Sequence, residues 1–220
     1  TVATKYGTDA SETLTGSNTY DYIYGYGGND TIHGLFGADN IMGGEGNDTI
    51  RGGFQGDYLS GDLGNDTISG DQGDDTILGG NGADTLSGGL GDDTFRDYYL
   101  SDWAGDKVDG GLGTDTVDIN LQYNTSGVSF TAQDPTQSVN LFGFTVTNIE
   151  QYTISATNYV DTLKGGHWND RFSGQNGDDK LYGLGGNDYL DGGAGKDTID
   201  GGQGDDDIYG GEGDDIITGG

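Results

Sequence analysis

Acidic residues recur every nine positions along most of this sequence. From Gly7 to Arg96, and again from Ala156 to Thr218, the chain divides into consecutive nonapeptides without a gap. The sixth position is Glu12 in the first unit and an aspartate afterwards, namely Asp21, Asp30, Asp39, Asp48, Asp57, Asp66, Asp75, Asp84, Asp93, Asp115, Asp161, Asp170, Asp179, Asp188, Asp197, Asp206 and Asp215. Carboxylate oxygens are ligands that hard cations prefer. The spacing therefore predicts a row of oxygen-ligated metal sites.

An apolar side chain follows each acid after two residues, at the eighth position of the unit. These residues are Leu14, Ile23, Ile32, Ile41, Ile50, Leu59, Ile68, Ile77, Leu86, Phe95, Val117, Leu163, Phe172, Leu181, Leu190, Ile199, Ile208 and Ile217. We predict that they form the hydrophobic core, because only one position per unit is consistently apolar.

The glycines at positions one, two and four indicate which turns and strands must position these residues. Glycine permits backbone angles that other residues avoid, so these positions predict a tight turn, followed by a strand over the last three residues. With one core residue per unit, consecutive units must face the core from opposite sheets. One coil then takes eighteen residues, and alternate units stack. Stacking places the carboxylates in columns that repel one another unless a cation intervenes.

Composition agrees with a requirement for cations. The 220 residues include 8 Lys and Arg against 38 Asp and Glu, a formal charge of −30, with 47 Gly, no Cys and only 30% hydrophobic residues. Such a chain buries too little apolar surface to fold alone. Its charge also argues against binding nucleic acid or an anionic membrane surface, and no apolar run is long enough to predict membrane insertion. No disulfide can hold it together, so metal is the expected substitute.

Two stretches carry a family resemblance. Gly79-Gly80-Asn81-Gly82-Ala83-Asp84-Thr85-Leu86-Ser87 and the unit Gly192 to Asp200 resemble the glycine-rich, aspartate-containing RTX nonapeptide, a calcium-binding repeat. The resemblance covers nearly all of the chain outside Ile119–Ser155. It implies an all-β fold, a right-handed parallel β-roll (β-solenoid) of stacked nonapeptides with a short β insert between two repeat blocks.

The resemblance also implies Ca²⁺ ions between stacked turns, held by the sixth-position aspartates and by backbone carbonyls of the turns. The expected carbonyl donors are Gly28, Gly37, Gly46, Gly64, Gly73, Gly82, Gly91, Gly177, Gly186, Gly195, Gly204 and Gly213. Roughly a dozen ions, or about +24, would offset most of the negative charge. We therefore expect folding to be coupled to calcium binding.

The predicted organisation has three segments: a β-roll block at 7–96, an irregular β connector at 97–155 with two repeat-like units at 101–118, and a second block at 156–220. Alternating apolar stretches such as Leu141–Val146 predict longer strands in the connector. Gln55 replaces the usual glycine at position four of its unit, which predicts a weaker site. The units of Glu12 and Asp161 are expected to be atypical entry rungs.

An enzyme is not predicted. Most acids lie on the repeat grid or beside it, which leaves no separate acid-base pair. His33 and His167 belong to no zinc motif and are expected to face solvent, and no nucleophile elbow occurs. We name no catalytic residue.

The leading functional interpretation is a calcium-responsive structural and folding module of a secreted bacterial protein, placed outside the cell or at its surface. The chain closes on Gly219-Gly220, the opening of a further unit, which predicts neighbouring domains of a longer parent chain. The alternative is a polysaccharide-binding module resembling the repeat modules of alginate-modifying enzymes. Aromatic residues such as Tyr98, Tyr99, Trp103 and Trp168 are expected to cover the edges of a narrow roll, but they could instead form a glycan-binding face. Ice binding is disfavoured by the varied residues at position nine.

Overall fold

The computed structural model describes residues 3–220, and those residues form strands and turns with no helix. The first twelve strands are β1 (Ala3–Tyr6), β2 (Thr13–Thr15), β3 (Asp21–Gly27), β4 (Thr31–Phe36), β5 (Asn40–Glu45), β6 (Thr49–Phe54), β7 (Tyr58–Leu63), β8 (Thr67–Gln72), β9 (Thr76–Asn81), β10 (Thr85–Leu90), β11 (Thr94–Arg96) and β12 (Lys107–Leu112). The others are β13 (Thr116–Asn120), β14 (Ser129–Thr131), β15 (Val139–Leu141), β16 (Phe144–Thr147), β17 (Gln151–Ser155), β18 (Thr162–Lys164), β19 (Arg171–Ser173), β20 (Lys180–Gly185), β21 (Tyr189–Asp191), β22 (Thr198–Gln203), β23 (Asp207–Tyr209) and β24 (Ile216–Thr218).

The chain divides into two compact units. Unit 1 comprises Thr1–Thr116 and Ser138–Ile149, and unit 2 comprises Val117–Gln137 and Glu150–Gly220. This division assigns the residues between the repeat blocks partly to each unit. The three-segment organisation at 7–96, 97–155 and 156–220 stays a prediction.

Unit 1 is a parallel β-roll with two sheets. One sheet has the order β1-β3-β5-β7-β9-β11, and the other has β2-β4-β6-β8-β10-β12-β16, with β15 antiparallel to β16 at its edge. Ile23 pairs with Ile41 and Ile50 pairs with Ile68. Because paired residues are eighteen apart, the predicted coil length and the stacking of alternate units are confirmed.

Unit 2 repeats this arrangement. Its two sheets have the orders β13-β17-β19-β21-β23 and β14-β18-β20-β22-β24. Ile154 pairs with Phe172, and Leu163 pairs with Leu181, again in parallel. The predicted all-β parallel roll is thus confirmed for each unit.

The eighth-position side chains form the core of each unit. Ile41, Leu59 and Leu181 are fully buried, as are most of their counterparts. Burying each such side chain contributes about 1.5–3 kcal/mol. Ile217, on the last strand of its sheet, is an exception at 50% exposed.

Two expectations about strand length are wrong. Most strands of unit 1 have six residues rather than three. For example, β4 continues through Gly34 to Phe36, which is the third position of the next unit. Pairing continues there too, as Gly53 pairs with Asp71. Conversely, three strands of the connector are shorter than expected: β14 and β15 have 3 residues and β16 has 4, whereas β13 and β17 have 5.

Candidate metal centre

The sixth-position aspartates of unit 1 form two hydrogen-bonded columns. The backbone N–H of Asp30 donates to Oδ1 of Asp48 at 2.7 Å, and the N–H of Asp48 donates to Oδ1 of Asp66 at 2.7 Å. On the other edge, the N–H of Asp39 donates to Oδ1 of Asp57 at 2.7 Å. Each carboxylate therefore ties its coil to the preceding one through a single oxygen.

Unit 2 contains equivalent columns. The N–H of Asp161 donates to Oδ1 of Asp179 at 2.7 Å, and the N–H of Asp179 donates to Oδ1 of Asp197 at 2.8 Å. The N–H of Asp170 donates to Oδ1 of Asp188 at 2.7 Å. The predicted stacking of carboxylates thus occurs in both units.

The second carboxylate oxygen, Oδ2, is buried without a hydrogen-bond partner in twelve of these aspartates. Within residues 3–220 they are Asp30, Asp39, Asp48, Asp57, Asp66, Asp75, Asp84, Asp93, Asp179, Asp188, Asp197 and Asp206. Burying a carboxylate oxygen without a hydrogen-bond partner destabilises the folded state. A bound cation would compensate this loss of solvation, so these oxygens are suited to be metal ligands. We call these aspartates the open carboxylates.

The glycine at position one leaves the space that each open oxygen faces. A Cβ on Gly25 would lie 2.6 Å from Oδ2 of Asp30, and it would also collide with the carbonyl oxygen of Gly43 in the next coil. Carboxylate and carbonyl oxygens thus face the same small volume, and any side chain there would fill it. The position-one carbonyls were not among the predicted donors, although glycine occupies that position in every unit of the two repeat blocks except the one that begins at Ala156.

The pKa values reflect this environment. Burial raises the pKa of Asp57 to about 8, although the N–H of Asp39 lowers it, and the neighbouring Asp75 and Asp39 raise it further. Burial likewise raises the pKa of Asp66 to about 7 and that of Asp179 to about 7. Without a cation, Asp57, Asp66 and Asp179 therefore keep their protons to a higher pH than exposed aspartates do.

The predicted carbonyl donors at position four share one backbone conformation. Gly28, Gly37, Gly46, Gly64, Gly73, Gly82, Gly91, Gly177, Gly186, Gly195, Gly204 and Gly213 all have positive φ, between 94° and 156°. A Cβ on Gly46 would collide with the carbonyl oxygen of Gly28. The position-four turns therefore stack closely, and the ligand role of their carbonyls stays a prediction.

Four other sixth-position acids have carboxylates that are satisfied by the protein, and we call them the closed carboxylates. The N–H of Ser17 donates to Oδ2 of Asp21 at 2.5 Å. Thr157 and Gly166 donate in the same way to Asp161 and Asp170, both at 2.9 Å, and Thr8 donates to Glu12. In each case the donor is the residue at position two.

The residue at position four separates the two classes. Closed units have Ala10, Thr19, Tyr159 or Trp168 there, and none of these has positive φ. Units with open carboxylates have glycine, or Gln55 with a φ of 74°. Because only glycine adopts positive φ readily, a larger residue favours the other turn, in which the position-two N–H reaches the carboxylate.

Two buried aspartates in the irregular segment were missed as site residues. The N–H of Asp84 donates to Oδ1 of Asp106 at 2.8 Å over 22 residues, so Asp106 continues the column after a four-residue insertion. Burial raises the pKa of Asp106 to about 7 and that of Asp97 to about 8. The N–H of Asp93 donates to Oδ1 of Asp115 with the same separation of 22 residues, so the insertion shifts both columns equally.

Side chains alone do not form a complete metal site in the described residues. Among residues 3–220, no three Asp, Glu, His or Cys side chains form a group that could hold a metal ion. His167 is exposed and His33 is half-buried. A cation in the repeats would therefore need carbonyl oxygens beside the carboxylates.

The aromatic residues divide between core and surface. Trp103, one of the aromatic residues that could have formed a glycan-binding face, is buried and stacks on Phe144 at a ring distance of 4.5 Å. Tyr98 and Tyr99 are exposed. Only part of the aromatic set is therefore accessible to a ligand.

Comparison with known proteins agrees with the repeat geometry. A family model described as "RTX calcium-binding nonapeptide repeat (4 copies)" matches residues 6–41, 33–68, 60–95, 155–190, 169–199 and 191–220. No curated protein matches the chain. In the described range 3–220, no helix has the length and apolar character needed to cross a membrane.

Proposed function

Because the chain belongs to the RTX calcium-binding nonapeptide-repeat family, we propose that it is a structural module that folds on binding calcium outside the cell. The repeat roll is a structural fold rather than a catalytic one. In this proposal the module is part of a secreted bacterial protein and contributes no catalysis of its own. Any enzymatic activity would reside in neighbouring domains.

The observation that carries the proposal is the set of twelve open carboxylates. We assign them as calcium ligands, together with the turn carbonyls at positions one and four. Asp115 and Asp215 belong to units of the same kind, with positive φ at Gly113 and Gly213, and we assign them likewise. The roughly dozen ions expected from the sequence remain part of this proposal.

The closed carboxylates are assigned differently. Asp21, Asp161 and Asp170 already accept position-two N–H donors on Oδ2, so a calcium ion would have to displace those bonds. We propose that these units bind no calcium and form metal-independent rungs at the start of each repeat block. This revises the larger ligand set expected from the sequence.

Calcium contributes chiefly charge compensation at these positions. The carboxylates in each column are buried and one coil apart, within a chain of formal charge −30. Without the ion, repulsion and desolvation oppose coil stacking. With the ion bound, the same carboxylates hold successive turns together, so binding and folding become one transition.

A circular dichroism titration from metal-free protein into millimolar calcium tests this proposal, with magnesium as the control for hard cations. We expect a cooperative gain of β-structure with calcium only, since Mg²⁺ requires a stricter octahedral shell. A chain that is fully folded without metal would show that calcium does not drive folding.

Polysaccharide binding is a second candidate, favoured by a cavity of about 360 Å³ in unit 2. Trp168 lines it beside Gln133, Asp134 and His167, which offer an aromatic face and polar groups suited to a sugar. A glycan array with calcium present tests this candidate. Binding that is lost in Trp168→Ala, but kept in Tyr209→Ala, would support it, and no binding at saturation would rule it out.

A further inference from the structure

A cavity of about 200 Å³ in unit 1 lies between the outer side of β7 and β9 and the irregular segment that follows β11. Three carboxylates line it, those of Asp62, Asp97 and Asp102, together with Ser60 and Asn81. No basic residue is among the described residues that line it. The cavity therefore concentrates negative charge without an internal counter-ion.

Asp97 supplies the second observation. It is only 9% exposed, and its Oδ1 accepts the N–H of Gly80 at 3.2 Å. Its Oδ2 is buried and has no hydrogen-bond partner. Asp97 follows Arg96 at the point where a regular unit would begin with glycine. The four-residue insertion thus replaces a small turn residue with a buried carboxylate beside the cavity.

The other two carboxylates retain acceptor capacity. Oδ1 of Asp62 accepts the hydroxyl of Ser60 at 2.6 Å. Asp102 is 7% exposed and accepts the N–H of Tyr99 on Oδ2 and the hydroxyl of Ser101 on Oδ1, both at 3.2 Å. A carboxylate oxygen has more than one lone pair, so these bonds leave positions for a cation.

We propose that this cavity binds one calcium ion that is separate from the ions of the repeat turns. Oδ2 of Asp97 is its direct ligand, and the oxygens of Asp62, Asp102 and Asn81 complete the shell. The three carboxylates line the cavity but are not close enough to contact one ion together. The ion therefore retains water between itself and some of these groups. Calcium tolerates such a mixed shell of six to eight oxygens.

The competing arrangement is a neutral, protonated Asp97 with a purely structural role. If Asp97 has only this structural role, Asp97→Asn would leave the number of bound ions unchanged, which can be measured. A calcium ligand would instead lose its ion, because the amide supplies less negative charge to the site.

Native mass spectrometry of the calcium-loaded 220-residue chain counts the ions directly. We expect Asp97→Asn to bind one ion fewer than the unaltered chain, and Asp102→Asn to do the same. Asp200→Asn, a matched charge control on β22, should bind the full number. Circular dichroism in calcium establishes that each variant folds. If one of the two ligand variants does not fold, the other still tests the proposal.

An unchanged count in Asp97→Asn or Asp102→Asn would overturn the proposal, as would loss of several ions, which would mean that the repeat columns were disturbed. These outcomes are distinct from failure of the proposed function. In that case the unaltered chain itself would bind no calcium.

Discussion

The backbone N–H of Asp48 donates a 2.7 Å hydrogen bond to Oδ1 of Asp66, eighteen residues further along the chain. Oδ2 of Asp66 is buried and has no hydrogen-bond partner in the described structure. One carboxylate therefore has two separable roles. Oδ1 ties adjacent coils together, and Oδ2 is available to a cation.

Asp66→Asn should separate these roles. The amide oxygen can keep the bond from Asp48, but the second oxygen and the charge are lost. We expect the calcium midpoint of folding to rise about tenfold, equivalent to ~1.4 kcal/mol. Calcium titration followed by circular dichroism measures the midpoint. Asp200→Asn, which lies outside the columns, controls for the change in net charge, and an unaltered midpoint in Asp66→Asn would exclude Oδ2 as a ligand.

The open and closed carboxylates should differ in stoichiometry. Asp179 and Asp161 belong to one column, yet only Asp161 accepts a position-two N–H on Oδ2, from Thr157 at 2.9 Å. We therefore expect Asp179→Asn to lose at least one calcium ion and Asp161→Asn to lose none. Native mass spectrometry in calcium gives both counts. Loss from Asp161→Asn with retention by Asp179→Asn would reverse our assignment.

The repeat period made most of the fold predictable. Residues such as Ile41 and Ile50 recur at the eighth position, and a period of nine with one apolar residue admits few arrangements other than two stacked sheets. Strand length was not predictable in this way. It depends on backbone pairing across coils, as between Gly53 and Asp71, and such pairing leaves no hydrophobic pattern.

The sequence predicts the positions of the candidate ligands but not the bonding of their carboxylate oxygens. The sequence identified Asp21 and Asp30 as equivalent, whereas Oδ2 is satisfied in the first and open in the second. The deciding residues are Thr19 and Gly28 at position four, whose effect on the turn depends on φ. The connector was harder, because an insertion hid the column that runs from Asp84 to Asp106.

Stability without metal should depend on pH in an unusual direction. Burial raises the pKa of Asp57 to about 8 and that of Asp66 to about 7, from an ordinary 3.8. A raised carboxyl pKa contributes stability that is fully present below about pH 4. That contribution is lost as the pH rises through 7 and 8. Desalted, metal-free protein should therefore gain β-structure by circular dichroism on acidification from about pH 8 to about pH 5.

The calcium-loaded protein should respond in the opposite way, because protons and calcium compete for the same oxygens. We expect the calcium midpoint to rise as the pH falls over the same range. Titrations at fixed pH values measure it. Metal-free protein that instead gains structure as the pH rises would contradict the buried, uncompensated columns.

Gln55 should be replaceable with a gain in stability. It holds position four with a φ of 74°, in a left-handed conformation that costs a residue with a Cβ about 1–2 kcal/mol. Glycine removes this strain but adds chain entropy of roughly 0.5–1 kcal/mol in the unfolded state. We therefore expect Gln55→Gly to stabilise the calcium-loaded protein by about 0.5–1 kcal/mol in urea denaturation. Gln72→Gly is the matched control, because Gln72 is exposed and lacks positive φ, so glycine there should destabilise the protein. Equal effects of the two substitutions would show that the position-four conformation does not limit the stability of this turn.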